Sequence, residues 1–224
     1  MTHAKDIPGI PYAFQRPELL TEALTHRSRG SRNYERLEFL GDSILNFVVS
    51  ARLFELRPED NEGNLSRLRS RVVRGEALAR TARRLGLGEH LLLGEGELRS
   101  GGWLRDSILA DALEAVLGAI YLDGGYAACE GVIRAVFEPV IADLPDAESL
   151  KDPKTRLQEY MQAHGRPLPE YQLVGEKGAD HAKQFEVSCR LPDSGREASA
   201  TGASRRKAEQ AAAASLYQAE TRAP

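Results

Sequence analysis

The sequence predicts two modules, an all-α module followed by a small α+β module with the element order α-β-β-β-α. From residue 18 to about residue 141, apolar residues recur at helical spacing, and no alternating run indicates a strand. After a short polar segment bracketed by Pro145 and Pro153, three alternating runs of six to eight residues follow. The change of pattern predicts domains at residues 1–144 and 154–221, joined by a linker at residues 145–153.

Proline, glycine and capping residues set the ends of the helices predicted in the first module. Pro58 and Gly86 each follow a periodic segment, and Asn64 is a suitable N-cap. The residues before Tyr12 have no periodic pattern, so we expect them to be disordered. The predicted helices cover residues 18–27, 35–56, 64–85, 108–122 and 127–144.

The second module is predicted to contain two helices and three short strands. Turn-rich pieces, GADHAK and PDSG, separate the strands. The predicted elements are a helix at residues 154–164, strands at residues 170–176, 184–191 and 196–201, and a helix at residues 204–219.

Composition excludes several classes of protein. No apolar run reaches the ~18 residues needed to cross a bilayer. The N-terminus lacks a basic region followed by an apolar one, so we expect a cytoplasmic protein without membrane contact. Cys129 and Cys189 form no metal-binding motif, which argues against zinc. The net charge of −3 is divided unevenly, because residues from Lys151 onward carry 12 Lys and Arg against 10 Asp and Glu. This division indicates an acidic module joined to a mildly basic one.

The segment ERLEFLGDSIL carries three acids on one side of a predicted helix. Spacings of three and seven residues place Glu35, Glu38 and Asp42 within roughly 60° of arc. Apolar residues cover most of the remaining surface, so we expect this helix to be buried on nearly every side. Carboxylates ~5 Å apart then repel one another by about 3 kcal/mol per pair at an effective dielectric of ~20. A divalent cation would offset that repulsion.

A second apolar helix offers two more acids, Asp111 and Glu114, which share a face because they are three residues apart. If the two helices pack together, Glu38 and Asp42 can join them in one pocket. Carboxylates without nearby Cys or His select hard cations, Mg²⁺ or Mn²⁺. Two alternatives stay open from the residues alone. The acids could be solvated surface groups, or they could pair with buried arginines, namely Arg36, Arg67, Arg69 and Arg71.

Six segments resemble, in order, those of bacterial members of the ribonuclease III family of double-stranded-RNA endonucleases. The first two are ALTHRS and ERLEFLGDSIL, and the third is GNLSRLRSRVVRGEALA. The others are GEGELRSGGWLRDSILADALEAVLGAIYLDGG, KDPKTRLQEY and GASRRKAEQAAA. The resemblance covers the chain apart from about a dozen N-terminal residues. It implies an all-α endonuclease domain and a double-stranded-RNA-binding domain.

The resemblance also implies roles for the acids. Glu38, Asp111 and Glu114 would be metal ligands, and Asp42 and Glu114 would be catalytic. Two further acids would support the site, namely Glu35 and Glu62. In the implied reaction, water attacks a phosphodiester in line, while Mg²⁺, or Mn²⁺ in its place, stabilises the attacking and leaving oxygens. The products would carry 5′-phosphate and 3′-hydroxyl ends, and the role would be processing of structured ribosomal and messenger RNA precursors.

A homodimer is a further implication, in which Phe39 inserts into a socket on the partner subunit. Phe39 follows Glu38 directly and so points away from the acid face. From sequence alone, the alternative is an ordinary core phenylalanine. A two-fold dimer would place two acidic centres across one groove of duplex or hairpin RNA.

The second module resembles a double-stranded-RNA-binding domain, which reads the shape of the duplex. The matching positions are Thr155, Gln158 and Glu159 in the first helix, His181 after the first strand, and Ser204, Arg205, Arg206 and Lys207 at the last helix. The chain departs from the commonest pattern at Glu209, where a third basic residue is usual. In the first module, the glycine-rich stretch at residues 94–105 carries Arg99 and Arg105, and we expect it to contact RNA near the cut.

Two other functions compete with the endonuclease. One is a non-catalytic double-stranded-RNA-binding protein that keeps the fold, and the four acids argue against it. The other is a Mg²⁺-dependent phosphohydrolase of small nucleotides, which the appended RNA-binding domain disfavours.

Overall fold

The computed structural model describes residues 7–178 and 183–221, and within them the predicted fold class is confirmed. The boundary between two compact units falls between Glu148 and Ser149. The predicted linker, residues 145–153, includes a 3₁₀ turn, Ala147–Leu150, and the buried residues Ala147 and Lys151. The domain limits at residues 1–144 and 154–221 stay predictions.

The first unit is helical, and its longest helix, α6, packs against α1, α2 and α4. The core side chains of α6 include Leu113, Leu117 and Ile120, all fully buried. Gly125, with φ 79° and ψ −176°, interrupts α6 where two separate helices were predicted. The helices are α1 Pro17–Ala23, α2 Glu35–Leu56, α3 Glu62–Val73, α4 Gly75–Arg84, α5 Glu95–Arg99 and α6 Asp106–Ala142.

Several sequence predictions for this unit are wrong. The helix predicted at residues 18–27 ends at Ala23. The helix predicted at residues 64–85 is divided into α3 and α4, because the backbone of Arg74 is extended. The N-cap of α3 is Asn61 rather than Asn64, and the Asn61 side chain accepts a hydrogen bond from the Asn64 N–H at 2.9 Å. Ile7 and Ile10 are buried although disorder was expected before Tyr12. Isolated apolar residues without periodicity gave no sign of that packing.

The second unit consists of a three-stranded antiparallel sheet in the order β1-β2-β3 with two helices. Its core lies between helices and sheet and includes Leu157, Cys189, Ala212 and Leu216. The predicted strand and helix ends agree with the observed ones to within two residues. The elements are α7 Pro153–Ala163, β1 Glu170–Lys177, β2 Gln184–Arg190, β3 Glu197–Gly202 and α8 Arg205–Thr221.

Candidate active site and RNA-binding surface

Two glycines bring α2 and α6 into backbone contact. A Cβ atom at Gly41 would lie 1.8 Å from the carbonyl oxygen of Glu114, and one at Gly118 would lie 2.2 Å from a backbone oxygen of α2. Contacts this short exclude any side chain larger than hydrogen. Because Glu38 and Asp42 flank Gly41, the contact holds the acids of α2 against those of α6. Sequence reasoning did not identify this contact, although both glycines lie within one turn of a candidate acid.

Three carboxylates meet at this contact. Glu38, Asp111 and Glu114 are half-buried, and each offers an oxygen within 4.8 Å of the other two. Among residues 7–178 and 183–221, none of the three forms an ion pair with Lys, Arg or His. Of the four arginines proposed as alternative partners, Arg67 donates to Asn64 and Arg69 donates to Ser50, whereas Arg36 and Arg71 are exposed. The arrangement leaves three oxygen ligands without an ion-pair partner among the described residues.

Burial raises the pKa of all three carboxyl groups, and the charges of neighbouring carboxylates add to the effect at Glu38 and Glu114. For Glu114, burial is the largest cause and the charges of Asp42, Glu38 and Asp111 add to it, which raises the pKa to about 8. Burial is also the main cause of the raised pKa of Glu38 and of Asp111. In the metal-free protein at neutral pH, Glu114 is therefore mainly protonated, and a bound cation would displace that proton.

Asp42 lies next to the cluster but outside it. Its side chain is exposed, and its Oδ1 accepts a hydrogen bond from Asn46 Nδ2 at 2.7 Å. Its charge contributes to the raised pKa of Glu114, which places the two carboxylates near each other. The structure thus leaves Asp42 accessible to substrate and water.

The two acids predicted to support the site, Glu35 and Glu62, lie in different surroundings. Glu35 is exposed and faces Arg27, whose Nη1 is 3.7 Å from its Oε1. It lines, with Glu38 and Asp111, a polar cavity of about 490 Å³. Glu62 is exposed in the first turn of α3 and lines a separate cavity of about 540 Å³. The structure therefore brings Glu35, but not Glu62, to the wall that the clustered acids form.

Residues 94–105 form the far side of the polar cavity through Glu97 and Arg105. Arg105 Nη1 is paired with Glu97 Oε1 at 2.7 Å, and its Nη2 donates to Ser100 Oγ at 3.1 Å. Arg99 is exposed, 3.5 Å from the exposed Glu95. Of the two arginines expected to contact RNA here, Arg99 is the more accessible. Arg105 instead forms contacts within residues 94–105.

The expectation that α2 is buried on nearly every side is wrong. Leu37, Leu45, Val48, Val49 and Leu53 face the core, whereas three phenylalanines point outward. Phe39 is 78% exposed, Phe54 is 71% exposed and Phe47 is 59% exposed. Phe39 is therefore not a core residue of its own subunit. Single apolar residues cannot show from sequence whether they face a core or a partner.

In the second unit, two of the three α7 side chains predicted to contact RNA form hydrogen bonds within the domain. Thr155 donates both its N–H and its hydroxyl to the side chain of Asp152, at 3.1 and 3.0 Å, and Asp152 thereby caps the helix. Glu159 accepts a hydrogen bond from the buried Lys151, and Gln158 is exposed. His181 lies outside the described residues.

The start of α8 presents a cationic surface with one internal acid. Ser204 Oγ accepts the N–H of Lys207 at 3.2 Å, which caps the helix. Glu209, the departure from the common pattern, accepts from Lys154 Nζ at 2.6 Å and from Arg205 Nε at 3.0 Å, and these cations lower its pKa. Arg206 and Lys207 are exposed, with no ion pair in the part of the chain that the structure describes. Glu209 thus joins α7 to α8, and Arg206 and Lys207 point into solvent.

Comparisons with known proteins agree with this architecture. A family model described as Ribonuclease-III-like matches residues 16–140, and one described as double-stranded RNA binding motif matches residues 153–219. A protein named Ribonuclease 3 from Xanthomonas oryzae pv. oryzae is 53% identical over 91% of this chain and 90% of its own length. One from Thiobacillus denitrificans is 53% identical over 92% of this chain and 91% of its own. The nuclease domain of ribonuclease III from Campylobacter jejuni superimposes with a TM-score of 0.56 and 42% identity, covering 58% of this chain and 92% of that one.

A helical domain with a cluster of carboxylates, joined to a double-stranded-RNA-binding domain, defines an endonuclease of double-stranded RNA. The chain belongs to the ribonuclease III family. Enzymes of this family depend on metal ions. Among the described residues, the structure contains no helix long and apolar enough to span a membrane.

Proposed function

We propose that this protein is a Mg²⁺-dependent homodimeric ribonuclease that cleaves duplex or hairpin RNA into products with 5′-phosphate and 3′-hydroxyl ends. The observation that carries the proposal is the cluster of Glu38, Asp111 and Glu114, whose oxygens lie within 4.8 Å of one another without a cationic partner in the described chain. The cellular role that fits is processing of structured ribosomal and messenger RNA precursors in the cytoplasm.

The donor set fits Mg²⁺. The three ligands are carboxylates, and hard oxygen donors favour Mg²⁺ or Mn²⁺ over zinc or copper. His26, the nearest imidazole along the cavity wall, is buried with its Nδ1 2.7 Å from Ser28 Oγ. The raised pKa values of Glu38 and Glu114 support the same conclusion, because a divalent cation would stabilise buried carboxylates and relieve the repulsion that adds to the effect of burial.

The reaction that this site supports is hydrolysis of a phosphodiester. Bound Mg²⁺ would supply Lewis-acid stabilisation of negative charge on the attacking and leaving oxygens. The exposed Asp42 would orient the attacking water by accepting one of its hydrogens. The water oxygen bonds to phosphorus and gives up one proton, which passes through the Asp42 carboxylate to solvent. The bond from phosphorus to the 3′-oxygen breaks, and that oxygen takes a proton from solvent. The phosphate then stays on the 5′ end and the other product ends in a 3′-hydroxyl.

The test is incubation of the protein with a long RNA duplex in Mg²⁺ and, in parallel, in EDTA. We expect cleavage in Mg²⁺ and none in EDTA. We also expect that the protein releases no phosphate from mononucleotides. The 5′-phosphate can be identified by labelling with polynucleotide kinase. The new 5′ ends should accept label only after a phosphatase has removed their phosphate. Binding without cleavage would favour the non-catalytic RNA-binding alternative, and hydrolysis of mononucleotides would favour the phosphohydrolase.

For RNA binding by the second unit, the prediction concerns Arg206. Because Arg206 is exposed and has no ion-pair partner among the described residues, we expect it to contact phosphate. Arg206→Ala should weaken duplex binding about threefold to tenfold and lower the salt slope by about one. Filter binding in EDTA across a series of salt concentrations measures both. Arg205→Ala is the comparison, and since Glu209 already pairs with Arg205, its slope should change less. Equal slopes for Arg206→Ala and wild type would contradict the contact.

For the homodimer, the prediction concerns Phe39. Exposed phenylalanines on α2 form an apolar surface, and the cavity of about 540 Å³ beside Phe47 and Phe54 can accept a phenyl ring of the partner. Phe39→Ala should weaken dimerisation by about 2 kcal/mol, which is about thirtyfold in Kd. Sedimentation equilibrium measures the change. Leu168→Ala is the control, because it also removes an exposed apolar side chain but does so in the second unit. This variant should leave the dimer unchanged. A monomeric wild type, or a Phe39→Ala dimer of full strength, would overturn this assignment.

A further inference from the structure

The side chain of Asn46 is bonded to Asp42 twice. Asn46 Nδ2 lies 2.7 Å from Asp42 Oδ1 and 3.0 Å from the Asp42 backbone oxygen, one helical turn away on α2. Both acceptors are oxygens, so the amide must present its NH₂ group to them and its carbonyl elsewhere. Asp42 accepts no other side-chain hydrogen bond within residues 7–178 and 183–221.

The turn that carries Asn46 is itself braced. Ser50 Oγ donates to the Asn46 backbone oxygen at 2.6 Å, and Arg69 Nη1 from α3 donates to Ser50 Oγ at 3.1 Å. Asn46 is half-buried, whereas Asp42 is exposed. An exposed carboxylate on a helix would otherwise sample several rotamers.

We propose that Asn46 is a positioning residue for cleavage, holding the Asp42 carboxylate in one rotamer with Oδ2 free for the attacking water. The inference rests on the role proposed above for Asp42. It extends that role to a neutral residue of α2 that neither binds metal nor contacts the reacting atoms. The bond to Oδ1 holds the carboxylate, and the bond to the backbone oxygen of Asp42 fixes the amide group that makes it.

The experiment is single-turnover cleavage of an RNA duplex at saturating enzyme and Mg²⁺, so that product release does not limit the rate. Asn46→Ala should lower the cleavage rate constant about fivefold to tenfold and leave duplex affinity in EDTA within about twofold. Asn46→Gln should restore most of the rate, since an i, i+4 Gln can still donate to Asp. Ser43→Ala is the matched control, because Ser43 also donates to a backbone oxygen four residues earlier, at 3.1 Å, without touching a carboxylate.

Wild type and Asp42→Ala in the same assay separate this inference from the proposed function. If wild type cleaves and Asp42→Ala does not, the function stands and the Asn46 variants test the positioning alone. A full rate for Asn46→Ala would then overturn the inference. Equal losses for the Ala and Gln variants, accompanied by lower urea stability, would assign Asn46 a structural role instead. An inactive wild type would defeat the proposed function, and the inference with it.

Discussion

Gly41→Ala is expected to abolish most cleavage and to destabilise the first unit by about 3 kcal/mol or more. The added methyl would lie 1.8 Å from the carbonyl oxygen of Glu114 and 2.9 Å from the backbone nitrogen of Gly118. Both neighbours are backbone atoms of α6, so no side chain can rotate away, and the two helices must separate. The same shift would move Glu38 from Glu114, and a displacement of ~1 Å at a catalytic centre costs on the order of a hundredfold in rate.

Urea unfolding and duplex cleavage measure the two effects of Gly41→Ala. Gly131→Ala is the matched control, because Gly131 also lies in a helix, α6, but a Cβ there would meet nothing within 4 Å. Alanine should stabilise that position by about 0.5–1 kcal/mol through helix propensity, with full cleavage. Wild-type stability of Gly41→Ala would show that α2 and α6 do not touch at this point.

Local patterns predicted the order and type of all five elements of the second unit, but they missed α5 and the division between α3 and α4 in the first. Alternation located β1 and β3 because their residues are exposed and partly buried in turn, whereas three successive residues of β2 are buried. The break at Arg74 was missed because helical periodicity continues across it, from Leu68 to Leu78, and no proline or glycine precedes it. Contacts between distant parts of the first unit, such as the Tyr12 hydroxyl donating to Asp123 at 2.8 Å, also have no local signal.

Residue type and spacing located the acids, but not their different surroundings. A three-residue spacing places Asp111 and Glu114 on one face of a helix, yet it cannot show that Glu38 joins them while Asp42 is exposed. That difference depends on how α2 crosses α6, which the two glycines determine. The role of Glu209 was equally hidden, because its partner Lys154 lies 55 residues earlier in the chain.

Glu114→Gln is expected to lower cleavage on the order of a thousandfold while leaving duplex binding unchanged. Glutamine keeps the size of the side chain but removes the charge, and Glu114 is the most strongly perturbed acid of the cluster. The three-carboxylate site then becomes a two-carboxylate site with weaker affinity for Mg²⁺. Cleavage and filter binding of the same duplex measure the two properties. Parallel loss of cleavage and binding would place Glu114 in a structural role.

Without metal, Glu114→Gln is expected to be more stable than wild type, and the difference should grow with pH. Because its pKa is raised to about 8, folded Glu114 keeps its proton up to that pH, whereas an unfolded glutamate loses it near its ordinary pKa of 4.5. Between these values the folded state binds more protons, so wild-type stability falls as pH rises and is fully present only below pH 4.5. Glutamine cannot ionise, so the variant keeps the stability that wild type loses through pH 8.

Urea unfolding in EDTA at pH 5.5 and pH 8.5 measures this change. A tenfold change in proton affinity corresponds to about 1.4 kcal/mol, and partial solvent screening reduces the full value, so we expect an increase on the order of 2 kcal/mol between the two conditions. Glu59→Gln, at an exposed glutamate outside the cluster, should show the same small difference from wild type at both values. Saturating Mg²⁺ should make wild type more stable than Glu114→Gln, because the cation binds the folded wild type more tightly than the variant. This difference in Mg²⁺ affinity should increase with pH, as Glu114 loses its proton. A pH-independent gap between Glu114→Gln and wild type would mean that the fold does not oppose ionisation of Glu114, and the raised pKa could then no longer support a cation at this site.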